Sequence, residues 1–284
     1  MNNPIVFRDG TAMPRLGQGA WYMGEHKERR AQELEALHQG ITLGMTLLDT
    51  AEMYGQGASE KLLGEVLKKH PRESLFLTSK VYPHNAGREH IFTACKNSLQ
   101  RLDQDYLDLY LLHWRGAVPL AETIECMEEL KKEGLIKHWG VSNFDLQDMR
   151  ELLSLPKGNL CAVNQVLYHL GSRGVEYDLL PYLQKQGIAL MAYCPLGHDL
   201  NTRKALGKHP LVQSLLQTLD MTLEQLMLAF LLSKDNVCAI PKASSPEHVR
   251  QNAATLHRTL EKHHLDLLDE AFPAPKKKMP LDML

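Results

Sequence analysis

The sequence predicts a single closed (β/α)8 barrel, and three observations predict it. Short apolar runs of strand length alternate along the 284 residues with stretches of helical length. The runs are apolar on both faces, as parallel strands covered by helices require. Eight such pairs fit a closed barrel better than a doubly wound sheet. No repeat, low-complexity linker or second composition class divides the chain, so one domain over residues 1–284 is expected.

Taken in order, residues 5–14 turn at Asp9-Gly10 and read as a β-hairpin that plugs the far end of the barrel. Strand-like runs follow at 16–21, 46–49, 75–80, 107–113, 138–142, 162–166, 189–194 and 237–241. Helical stretches lie at 28–39, 60–69, 88–101, 120–133, 146–155, 175–186, 223–233 and 246–256. Gly134 and Gly187 stand where helices end, and Ser245-Pro246 supplies an N-cap and a first-turn proline. The connection 195–222 is long enough for an extra helix near 211–219.

Composition narrows the function classes. A formal net charge of -2 gives no general attraction to nucleic acid or an anionic membrane. No apolar stretch approaches the roughly 20 residues that span a bilayer, and the first residues lack the pattern of a secretory signal. The five cysteines (95, 126, 161, 194, 238) form no CxxC pair and read as free thiols in a reducing cytoplasm. No metal-ligand spacing is visible among the histidines, and the strand ends lack the converging His and Asp ligands of a metal-dependent barrel hydrolase.

Four residues carry the chemistry. Asp49 ends one strand and Tyr54 follows in the next loop, Lys80 ends another strand, and His113 a third. Polar residues at the carboxyl ends of barrel strands converge on one mouth. Singly each has an ordinary structural reading; together they form a proton-transfer set. Lysine and aspartate are seldom buried unless paired, so each supplies the other's partner. An ammonium beside a phenol stabilises its anion and is expected to lower its pKa from about 10. His113 can orient an acceptor oxygen. The set suits protonation of an oxygen that gains negative charge, as when hydride adds to a carbonyl.

At this point the chain resembles the aldo-keto reductases, whose fold is the TIM barrel. The resemblance rests on Leu48-Asp49-Thr50-Ala51-Glu52-Met53-Tyr54-Gly55, Ser79-Lys80, Leu112-His113-Trp114 and Gly140-Val141-Ser142-Asn143-Phe144. It continues through Asn164-Gln165, Ala192-Tyr193-Cys194-Pro195-Leu196-Gly197 and Ile240-Pro241-Lys242-Ala243-Ser244. Stretches at Tyr168-His169-Leu170-Gly171-Ser172-Arg173 and Asp178-Leu179-Leu180-Pro181 are similar to bacterial reductases of methylglyoxal and other small aldehydes. The resemblance implies that Tyr54 is the general acid, tuned by Lys80 and Asp49, with His113 on the substrate carbonyl. It implies that Ser142, Asn143 and Gln165 hold the nicotinamide carboxamide, that Tyr193 stacks on its ring, and that Leu196 lies at the cofactor. Amide side chains offer the paired donors and acceptors this needs.

NADPH is the implied cofactor, preferred over NADH. Lys242 and Ser244 match the family's phosphate region and Asn252 an adenine position, but His248 replaces the usual arginine. Arginine is always charged and histidine mostly neutral near pH 7, which bears on that preference. Gly17-Gln18-Gly19 lacks the third glycine of a dinucleotide fingerprint, since Tyr22 stands there. Trp21, Tyr22, Tyr82 and Trp114 follow strand ends and are expected to wall the substrate pocket. Cys194 reads as a small packed side chain rather than a redox-sensitive thiol. The lysine run 276–278 reads as a solvated tail. Short segments at 114–119 and 273–284 imply an open, shallow mouth. A monomer acting on small carbonyl compounds is the expectation. A nucleotide-binding regulatory or scaffold subunit on the same fold is the alternative, and cofactor oxidation by an aldehyde separates the two.

Overall fold

The computed structural model describes residues 3–284. A hairpin of β1 (Ile5–Val6) and β2 (Ala12–Met13) opens the chain, turning through Gly10 at a φ of 89°. Eight parallel strands then pair in chain order: β3 (Gly17–Gly19), β4 (Leu47–Asp49), β5 (Phe76–Val81), β6 (Leu107–Leu112), β7 (Ile136–Ser142), β8 (Val163–Leu167), β9 (Ala189–Tyr193) and β10 (Val237–Ala239). Leu16 bridges to Ala239, and the Gly19 amide donates to Pro241 O at 3.1 Å, so the last strand meets the first and the barrel closes.

Helices α1 (Arg30–Thr42), α2 (Ala58–Leu67), α3 (Ile91–Leu102), α4 (Leu120–Lys132), α5 (Leu146–Ser154) and α6 (Leu179–Gln186) alternate with the strands. The long connection holds two helices, α7 (Leu200–Lys208) and α8 (Pro210–Leu219), where sequence periodicity shows only the second; α9 (Leu223–Leu232) follows them. Helix α7 starts because the Asp199 carboxylate caps the amides of Asn201 and Thr202, a signal that carries no apolar period. Helix α10 (Pro246–Ala254) begins at the expected Ser245 cap, and α11 (Lys262–Ala271) follows it. Residues 175–178, expected as helix, form a 3₁₀ turn at Gly174–Glu176 and then a break before α6.

Strand alternation decides what the barrel contains. Leu47, Phe76, Leu109, Val163, Ala189 and Met191 point inward and form one apolar cluster with Ile5, Phe7 and Met13 of the hairpin. The hairpin therefore plugs the amino-terminal end, its Phe7 ring meeting Phe76 edge-on at 6.2 Å. The alternate residues Leu48, Leu77, Tyr110, Leu112, Leu190 and Ala192 point outward into the larger core under the helices. Continued along the same strands, the inward face brings Asp49, Lys80, Gln165 and Tyr193 to the carboxyl end, with His113 one residue beyond β6. Apolar filling below and polar residues above follow from one period of two.

Close strand approach needs glycine at several points, most tightly at Gly140. A Cβ on Gly140 would overlap the Val163 carbonyl oxygen of the neighbouring strand. Gly140→Ala is therefore expected to lower barrel stability by about 1–3 kcal/mol, the usual cost of overpacking. A urea midpoint unchanged from wild type would show that β7 and β8 can move apart without cost.

Candidate active site

Lys80 organises the carboxyl end of the barrel. Its ammonium is 0% exposed and has three N–H donors to place. One goes to Asp49 Oδ2 at 2.7 Å, one to Thr50 O at 2.8 Å and the third to Tyr54 Oη at 3.1 Å. All three donors are satisfied, as a buried cation requires. Because Tyr54 Oη accepts from Lys80, the phenol's own proton is left to point away from Lys80. The other carboxylate oxygen, Asp49 Oδ1, accepts from Gln165 Nε2 at 2.8 Å.

The electrostatics differ from the simple expectation for the phenol. Burial pushes Tyr54 above its ordinary pKa, and Lys80 pulls it down without overcoming burial. The expected net lowering is therefore not found; Tyr54 stays protonated, the form a general acid needs. Burial pulls the Lys80 amine down, but Asp49 and Tyr54 outweigh it and raise its pKa. Burial, aided by Lys80, lowers His113 to about 2, so the imidazole is neutral and can donate from one nitrogen only. Its ring lies 5.7 Å from that of Tyr54. Its Nδ1 is buried with no partner among the described residues.

Ser142, Asn143, Gln165 and Tyr193 form the opposite wall. Register aligns Ser142 of β7 with Gln165 of β8, and Ser142 Oγ donates to Gln165 O at 2.8 Å. Asn143, just past β7, takes a left-handed φ of 60°, which asparagine tolerates. Its Oδ1 accepts from the Tyr193 hydroxyl at 2.9 Å and its Nδ2 donates to His113 O at 3.3 Å.

One cleft gathers these groups. Asp49, Tyr54, His113, Ser142, Asn143, Gln165, Tyr193, Trp21, Trp114 and Lys242 line it. Lys80 stands behind them, reached through Asp49 and Tyr54. Tyr22 and Tyr82, expected in the pocket wall, do not line it. Tyr22 is exposed and stacks on Trp21 at 4.5 Å, while Tyr82 meets Trp114 edge-on at 5.8 Å, so each backs a lining tryptophan instead. Leu196 packs against the main core. Ser244 Oγ accepts from Lys242 Nζ at 3.1 Å.

His248 is exposed on the first turn of α10, its backbone amide donating to the Ser245 cap. Asn252 is buried with its Nδ2 unpartnered among the described residues. A buried amide without a partner, on the helix after the last strand, suits a ligand group that supplies an acceptor there. A Cβ on Gly19 would come within 2.8 Å of Ile240 O, so the floor beside Lys242 is bare backbone.

Met53, Ile240 and Leu284 also line the cleft, and sequence reasoning assigns them no role there. Met53 and Ile240 adjoin the motifs, but nothing in the sequence marks Leu284. The segment 273–284 turns back over the mouth, where Asp282 accepts from Ser172 Oγ and Lys278 meets Asp145 at 3.4 Å. The mouth is thus partly roofed rather than open, and the lysine run is tied down at Lys278. Cys194 lines the cleft too, and burial pushes its thiol up to about 11, which disfavours the thiolate. The described residues hold no group of three or more His, Cys, Asp or Glu side chains placed to bind a metal. None of their helices is singly long and apolar enough to cross a membrane.

Known proteins are similar to this chain in sequence and in fold. The profile of the aldo/keto reductase family matches residues 15–272. Methylglyoxal reductase YeaE of Escherichia coli (strain K12) is 51% identical over 280 residues, covering 99% of this chain and 98% of the relative. An aldo/keto reductase from Klebsiella pneumoniae, solved with NADP and acetate, superposes with a TM-score of 0.96 at 48% identity, covering 100% of both chains. A structure from the same organism with NADPH gives the same values. The chain belongs to the aldo/keto reductase family.

Proposed function

We propose that the protein reduces small aldehydes and ketones of the methylglyoxal kind with NADPH, using Tyr54 as the proton donor. The observation that carries this reading is the third N–H of Lys80, which occupies the Tyr54 oxygen and leaves the phenol proton free for the cleft. NADPH, when bound, supplies the hydride. Ser142, Asn143 and Gln165 would hold its carboxamide, Tyr193 its ring, and Lys242 with Ser244 its phosphate. The unpartnered Asn252 amide fits the adenine end.

The chain's own residues do the rest. Neutral His113 donates to the substrate carbonyl and orients it beside Tyr54. Tyr54 gives its proton to the oxygen as negative charge develops, and Lys80 stabilises the phenolate left behind. Trp21 and Trp114 shield the reacting carbon with apolar surface. The roof of 273–284 favours small substrates, and the free thiols suit a reducing cytoplasm.

Tyr54→Phe should fold and bind NADPH normally yet lose about 10²–10⁴-fold in methylglyoxal reduction, followed by NADPH absorbance. Activity within a few-fold of wild type would remove Tyr54 from the reaction and favour a binding role for the fold. Because His113 is held near 2, its protonation should not shape the rate between about pH 5 and 8. A limb in kcat/KM near pH 6.5 that disappears in His113→Asn would contradict the neutral imidazole.

Cofactor choice gives a separate check. Lys242→Ala should weaken NADPH roughly tenfold more than NADH, since a charged contact to the extra phosphate is lost. His248→Arg should tighten NADPH more than NADH, since a guanidinium forks onto a phosphate. Equal changes for both cofactors, read by fluorescence titration, would place neither residue at the phosphate.

A further inference from the structure

Gln165 makes a contact that cofactor binding alone does not explain. It lies on β8, the sixth barrel strand, and Asp49 lies on β4, the second, so the two face each other across the barrel. Gln165 is 2% exposed. Its Nε2 donates to Asp49 Oδ1 at 2.8 Å and to Met191 Sδ at 2.9 Å. Burial raises the Asp49 pKa, but Lys80 and Gln165 oppose that shift, and the carboxylate ion-paired with Lys80 can only accept, so the amide presents its NH2 group to it. Both N–H groups are then used, and the Gln165 carbonyl is the end left for a ligand.

We infer that Gln165 is a positioning residue that couples the cofactor carboxamide to the acidity of Tyr54, through Asp49 and Lys80. The inference rests on the functional reading above, in which the carboxamide reaches Gln165. An amide whose carbonyl accepts a hydrogen bond is polarised and donates more strongly through its nitrogen. Stronger donation to Asp49 Oδ1 stabilises the carboxylate against burial and keeps the proton on Lys80. The ammonium in turn stabilises the Tyr54 phenolate. The charged and titratable groups around Tyr54 are Lys80 of β5, Asp49 of β4, His113 after β6, Tyr193 at the end of β9 and Cys194 after it, and of these Gln165 bonds to Asp49.

The test is a tyrosinate absorbance titration of wild type and Gln165→Met, with Tyr54→Phe as the blank. It is run without cofactor, with NADP, and with the analogue whose carboxamide is replaced by an acetyl group, which keeps the ring charge but has no N–H. Gln165→Met should raise the Tyr54 midpoint by about one pH unit, the scale of one hydrogen bond to a charged group. In wild type the analogue should give a higher midpoint than NADP, and in Gln165→Met the two should coincide. Weaker NADP binding with an unmoved midpoint would overturn the inference, leaving Gln165 as a holder of the carboxamide. The analogue arm uses unaltered protein, so equal midpoints there overturn it even if Gln165→Met fails to fold. Failure of the functional reading is distinct: it would appear as aldehyde reduction surviving in Tyr54→Phe.

Discussion

The buried ammonium of Lys80 is the constraint on which the rest of the site depends. A cation removed from water needs every donor occupied and a counter-charge in contact. Asp49, the Thr50 carbonyl and the Tyr54 oxygen meet that need from a strand end and the loop that follows it. The same bonds constrain the phenol, because an oxygen that accepts from Lys80 turns its own hydrogen elsewhere. Burial outweighs the pull of Lys80 and keeps Tyr54 protonated.

The barrel supplies this constraint through its strand period. Inward residues alternate, so apolar side chains and the hairpin fill the lower interior while the next inward positions carry the polar set. Parallel order brings strands distant in sequence to one mouth, and a side chain such as Gln165 can bridge opposite strands because the interior is narrow. Sequence-distant residues become one hydrogen-bonded network without any local motif joining them.

Much of this is legible in the sequence, for physical reasons. The strands show as apolar runs, and the site residues stand at their ends, where a barrel gathers its chemistry. Helix α10 is legible because Ser245-Pro246 marks its start. Three features are not. The Asp199 cap of α7 depends on side chain to backbone bonds rather than on an apolar period. Leu284 reaches the cleft only because 273–284 folds back, a tertiary contact with no local signal. The pKa of Tyr54 turns on burial, and adjacency to a lysine in the pattern says nothing of how deeply the ring is buried.

The most direct measurement is neutron diffraction from deuterium-exchanged crystals near neutral pH, locating the protons on Lys80 and Tyr54. The buried ion pair predicts a fully protonated Lys80 Nζ, one of its deuterons directed at Tyr54 Oη, and the Tyr54 deuteron pointing into the cleft. A neutral Lys80 amine accepting the Tyr54 deuteron would contradict it.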